Sequence, residues 1–154
     1  MTTPGANWAD PLTPEEFRLL AEVGFVAAGR GRLDRAVQIF AALIEIAPAR
    51  PLPHIGLALA LLNRDRAEEA LRVLERAQAF LKTAPTSHST QPTSDPRDDS
   101  ALVRAFYGVT LKLSGRTSES FRILRELVDR PEHDYAGRIA RSMLGLTHPQ
   151  EATP

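Results

Sequence analysis

Two stretches of the chain superimpose when one is slid 34 residues along the other. Gly24, Gly31, Ala36, Phe40 and Leu43 then fall on Ala58, Asp65, Ala70, Leu74 and Ala77. The same spacing returns in Gly108, Gly115, Ser120, Leu124 and Leu127, 50 residues beyond the second set. The surplus of 16 residues equals the length of Pro85–Ser100, a segment with three Pro, seven Ser or Thr and no large apolar side chain. A fixed period constrains the fold more than any single motif does. Each unit is one supersecondary piece that cannot cover its own apolar face and must stack on the next.

Local signals place helices inside that period. Thr13-Pro14-Glu15-Glu16 reads as a capping box with Pro at the first helical position. Asp65-Arg66-Ala67-Glu68 reads as a second start with Asp as the cap, and Asp134 as a third. Gly31 and Gly115 suit the left-handed residue that ends a helix. Leu33, Ala36, Val37, Phe40, Ile44 and Ala47 form one helical stripe, and Ala67, Ala70, Leu71, Leu74, Ala77 and Leu81 another. No stretch alternates with period two, so no strand is predicted. The predicted helices span 14–29, 33–47, 53–63, 66–82, 101–114, 118–129 and 135–146. Glu68→Arg72 and Glu126→Arg130 are expected as i,i+4 pairs.

Small residues at repeat positions 8 and 20, an aromatic or Leu at 24 and Pro near 32 resemble the tetratricopeptide repeat. Residues 17–50 match best, through Gly24, Ala36, Phe40 and Pro48. Residues 51–84 keep Ala70 and Ala77, and 101–134 keep Gly108 but carry Ser120 where Ala is usual. The expected architecture is all-α: an α-solenoid of three tetratricopeptide-like helix pairs with a capping helix at 135–146. A flexible arm at 1–12 is expected to precede the domain at 13–147. Pro85–Ser100 is expected to be a disordered insertion, and 148–154 a tail.

The composition narrows the function. Apolar residues make up 43% and charged residues 25%, as in globular domains. Nineteen basic residues balance nineteen acidic ones, which disfavours nucleic acid as a partner. Seventeen of the basic residues are Arg, as a GC-rich bacterial genome would give. Cysteine is absent, which removes disulfides, thiol catalysis and cysteine-ligated metals. The longest apolar run, Ile55–Leu62, is too short to span a bilayer. The first basic residue is Arg18, so no signal-peptide start is read, and a cytoplasmic location is expected. The four histidines, His54, His88, His133 and His148, show no metal-ligand spacing, and surface or cap roles are expected for them. Gly29-Arg30-Gly31 lacks the strand a phosphate loop requires, and no nucleophile elbow is present. Neither an enzyme, nor a cofactor, nor a metal is expected.

The tetratricopeptide resemblance implies that first helices line a concave face through repeat positions 2, 5, 9, 12 and 13. Those positions hold Arg18, Ala21, Phe25, Ala28 and Gly29, then Leu52, Ile55, Leu59, Leu62 and Asn63, then Leu102, Ala105, Val109, Lys112 and Leu113. Ala21 and Phe25 stand where carboxylate-clamping repeats carry cations. An apolar trough is therefore expected, suited to a hydrophobic helix or extended segment of a protein client. Its expected contacts are Arg18, Phe25, Leu52, Ile55, Leu59, Leu62, Leu102, Ala105, Val109 and Lys112, with Arg18 and Lys112 at the rim. Two alternatives exist: the chain's own ends fill the trough, or a homodimer buries it.

Gly31, Ala36, Phe40, Leu43, Gly56 and Leu57 also resemble the helical-repeat chaperones of bacterial type III secretion systems. That resemblance implies a small, cytoplasmic, non-enzymatic protein that holds a hydrophobic export substrate. The alternative is a self-associating scaffold or adaptor without an export client.

Overall fold

Thr13 opens the first helix as the capping box requires. Its hydroxyl accepts from the Glu16 N–H at 3.3 Å, and the Glu16 carboxylate accepts from the Thr13 N–H at 2.8 Å. The computed structural model describes residues 12–83 and 96–146. Among these it has seven helices: α1 (Pro14–Gly29), α2 (Leu33–Ile46), α3 (Pro51–Leu62), α4 (Ala67–Thr83), α5 (Pro96–Leu113), α6 (Thr117–Arg125) and α7 (Tyr135–Met143). No strand occurs among the described residues. The fold is an all-α helical repeat, consistent with a solenoid.

Each helix packs on the next in sequence, from α1–α2 to α5–α6, and α7 closes against α5 and α6. The first helices of successive pairs also touch, α1 against α3 and α3 against α5, while α2, α4 and α6 stand farther apart. That asymmetry makes the first-helix side the tighter one.

Close approach depends on missing side chains. Phe40 is completely buried with its ring between Gly24 and Gly56. A Cβ on Gly24 would lie 2.8 Å from the ring, and one on Gly56 only 2.4 Å away. Phe40 thus fills both the α1–α2 and the α2–α3 seam. In the third pair a Cβ on Gly108 would meet Leu124 at 2.7 Å. Ser120, which departs from the expected Ala, donates its hydroxyl to the Gly108 carbonyl at 2.7 Å. The two residues face each other across the α5–α6 seam, so the departure supplies a buried hydrogen bond.

The first helices end alike. Gly31, Asp65 and Gly115 all have positive φ, at 73°, 62° and 83°. After each, the next N–H reaches back five residues: Arg32 to Ala27 at 2.9 Å, Arg66 to Leu61 at 3.0 Å and Arg116 to Leu111 at 2.9 Å. These are Schellman caps. Asp65 therefore does not cap α4, as expected, but ends α3 in the left-handed region that its glycine counterparts occupy without strain. Gly145 ends α7 the same way, with φ 70° and Leu146 N–H bonded to the Arg141 carbonyl at 2.8 Å.

Other boundaries shift for physical reasons. α3 starts at Pro51 rather than 53 because Arg50 is held extended before proline, leaving Pro51 and Pro53 in a first turn that needs no N–H donors. α5 starts at Pro96, so 96–100, expected within the disordered insertion, are helical, and Asp99 near the positive end suits the dipole. The remainder of that insertion, the arm at 1–11 and the tail lie outside the described residues. α6 stops at Arg125, not 129. There the chain turns tightly, with Leu127 N–H on the Leu124 carbonyl at 3.0 Å. The Arg141 guanidinium takes the Val128 and Arg130 carbonyls at 2.8 and 2.9 Å. Glu126 pairs with Arg104 on α5, and Glu68 lies 3.9 Å from Arg116 on the next pair, so both join helices rather than turns of one helix.

Candidate protein-binding face

The residues expected to line a trough sit on α1, α3 and α5, and these helices are adjacent. Their depths differ. Ile55 is 3% exposed, Ala105 is wholly covered and Val109 is 8% exposed. These three are core, which corrects their assignment as contacts. Ile55 shares a cluster with Ala58, Leu74 and Val103, so α3 meets α4 and α5 through it. Ala105 packs with Leu124, Leu127, Ala136 and Ala140 under α7. The cause lies in α3, Pro51–Leu62, which is apolar around its whole circumference and is buried on nearly every side.

What remains accessible is a shallow strip. Phe25 is half-buried, edge-on to Phe40 with ring centroids 4.9 Å apart. Leu59, Leu62 and Leu102 are half-buried at the surface of the α3–α5 cluster, and Leu52 is exposed. Arg18 is exposed and lies 3.6 Å from Glu22 on its own helix. Lys112 is not a free rim cation: its ammonium donates to the Met143 carbonyl at 2.6 Å and anchors the end of α7. Half-buried Phe106 joins the strip and was not singled out from the sequence, although it follows Ala105 in the same apolar run.

Two surfaces escaped the sequence reading. One is the outer side of α1, where Leu19, Val23 and Val26 are 60%, 45% and 54% exposed. Their i, i+4, i+7 spacing was the available signal. The other is a hollow of about 410 Å³ at the α1–α2 turn, lined by Gly31, Arg32, Leu33, Asp34, Arg35 and Gln38. Arg66 and Arg116 each pair with a Glu three residues on, whereas Arg32 has Arg35 in that place.

Two ionisable groups are tied into the fold. His54 is buried, not at the surface, with Nε2 2.9 Å from the Pro48 carbonyl. Burial pushes its pKa down, against the opposing pull of that carbonyl. Burial alone would raise the Asp134 carboxyl, but the Arg130 guanidinium and the Gly137 N–H hold it below its ordinary value. Among the described residues no three His, Asp or Glu side chains group as metal ligands, and no helix is long and apolar enough to cross a membrane.

Residues 27–88 match the family described as tetratricopeptide repeat, a match running from the end of α1 through α4. It supports a tetratricopeptide-repeat protein, and that repeat is typically a non-catalytic protein-interaction module. No curated protein and no solved structure matches the chain.

Proposed function

We propose that this chain is a protein-binding repeat module that holds an apolar segment of another protein against its first-helix side. In the finer reading it is a cytoplasmic chaperone for a hydrophobic export substrate of a type III secretion system. The observation that carries the binding role is the strip of Phe25, Leu59, Leu62 and Leu102, half-buried beside exposed Leu52, on a repeat family that mediates protein contacts. Side chains already half-covered and held by a rigid seam lose little freedom when a partner covers the rest. Arg18, exposed on α1, is the cation this reading assigns to the rim. The secretion role draws on the resemblance carried by Gly31, Ala36, Phe40, Leu43, Gly56 and Leu57.

The test is selection of a displayed peptide library on the purified chain, followed by polarisation titrations of selected peptides. Peptides with two or more large apolar anchors are expected. Leu62→Glu and Leu52→Glu, both at accessible positions, should weaken them at least tenfold with unchanged circular dichroism. Selected peptides that bind these variants as well as the original chain would refute the site. For the finer reading, the chain should keep a hydrophobic translocator segment soluble on co-expression, and a segment that precipitates with or without it would count against that role.

A further inference from the structure

Leu12 fixes where the chain enters the first helix. It stands just before the Thr13 cap and is half-buried on the cluster that includes Phe17, Leu43 and Ala60. Leu12 and Phe17 hold the two places of a hydrophobic staple at the start of α1. That cluster joins α1 to α2 and α3, so the chain arrives on their side and not on the outer side that carries Leu19, Val23 and Val26. The Arg50 guanidinium covers the Phe17 ring at 4.4 Å, which sets the start of α3 beside the staple. Leu52, 41% exposed, follows two residues on and opens the accessible strip. Among the described residues no carboxylate pairs with Arg50.

The eleven residues ahead of Leu12 carry one charged side chain, Asp10, and one aromatic, Trp8, the chain's single tryptophan. We propose that this leading segment lies over the strip while no client is bound, with Asp10 against Arg50 and Trp8 on Leu52, and that a client must displace it. The register agrees: Trp8 lies two residues from Asp10, as Leu52 does from Arg50. Four residues of extended chain from Leu12 reach about 13 Å, and all eleven about 36 Å, against about 18 Å for α3. The tether keeps the segment at an effective concentration of about 1 mM. A contact with a Kd of only about 0.1 mM would then keep the strip covered about ten to one and weaken a client about tenfold. The inference rests on the client reading of the strip, but its first test needs no client.

Trp8 emission in the full chain reports the cover directly. It should be blue-shifted and shielded from acrylamide. Leu52→Glu and Asp10→Arg should each shift it to the red and open it to the quencher, with circular dichroism unchanged. Ile46→Glu, at the exposed end of α2, and Val23→Arg, on the outer side of α1, should leave it alone. Trp8→Ala should bind tryptophan-free peptides selected on the chain about tenfold more tightly. The same peptides, added to the original chain, should move Trp8 emission to the red. An emission as quenchable as that of free tryptophan would overturn the proposal and leave the strip to a foreign chain. So would an emission that answers to Ile46→Glu or Val23→Arg instead of Leu52→Glu. Shielding that grows with protein concentration would overturn it too, by giving the strip to the leading segment of a second copy. Shielding that depends on Leu52, with peptides indifferent to both Leu52→Glu and Trp8→Ala, would overturn the gating role and trace the failure to the client site, not to the cover.

Discussion

Adding one methyl group at Gly56 should destabilise the protein by about 2 kcal/mol. The new Cβ would sit 2.4 Å from the Phe40 ring, against an ordinary contact of 3.4 Å or more, so the ring would have to withdraw by about 1 Å. It has no room to do so, because Gly24 lies on its other side at a virtual Cβ distance of 2.8 Å and Phe25 stands edge-on at 4.9 Å. Overpacking of a tight core costs about 1–3 kcal/mol, and this confined site belongs at or above the top of that range. Replacing Gly by Ala inside a helix returns about 1 kcal/mol. The net of about 2 kcal/mol should lower Tm by about 4–8 °C in a chain of this size. Thermal and urea melts of Gly56→Ala measure it directly. Gly29→Ala is the control, since nothing lies within 4 Å of its virtual Cβ, and it should stabilise by about 0.5–1 kcal/mol. Phe40→Leu should be less damaging in the Gly56→Ala background than alone, with a coupling of about 1 kcal/mol or more. A Gly56→Ala protein as stable as the original would refute the wedge and leave helix propensity in charge of this position.

Three more outcomes are expected. Asp65→Gly should stabilise by about 1 kcal/mol by relieving the left-handed backbone, measured as an upward shift of the urea midpoint. Arg141→Ala leaves the Val128 and Arg130 carbonyls without their charged donor and should cost about 2–3 kcal/mol in chemical melts; Arg141→Lys should recover only part of it. His54 has its pKa pushed below the unfolded value of about 6.5 by burial, so its contribution to stability is complete above that pH and is lost as pH falls through it. Tm should therefore drop from pH 7.5 to 5.5 more steeply in the original chain than in His54→Gln, and parallel pH profiles would remove His54 as the cause.

The helices were legible because period and punctuation agreed: Thr13 with Glu16, Gly31, Gly115 and Asp134 all mark the boundaries the sequence pattern implies. Asp65 was misread because Asp serves both as a helix start and as a left-handed residue. Only its alignment with Gly31 and Gly115 separates the two roles. The early end of α6 depends on Arg141, sixteen residues beyond Arg125, and no local signal carries that. The candidate face was half legible. Repeat register correctly put Phe25, Leu59 and Leu102 on adjoining helices, but register does not report how deeply a neighbour covers a residue. Ile55 and Ala105 vanish into the core because α3 meets α5 directly and α7 closes over Ala105. Lys112 was read as a client-facing cation, yet the α7 carbonyl it meets is thirty-one residues away.

One aromatic ring serves two seams, and that binds the fates of two helix pairs. When Phe40 leaves its slot, α1, α2 and α3 lose their common contact together, so their amides should exchange with deuterium as one cooperative block instead of fraying inward from the first helix. α5–α7 hold each other through a separate cluster around Leu124 and Ala140. Because Ile55, Leu74 and Val103 join α3, α4 and α5 in one cluster, opening of that block should carry on into α4 and α5, with α6 and α7 the last to exchange.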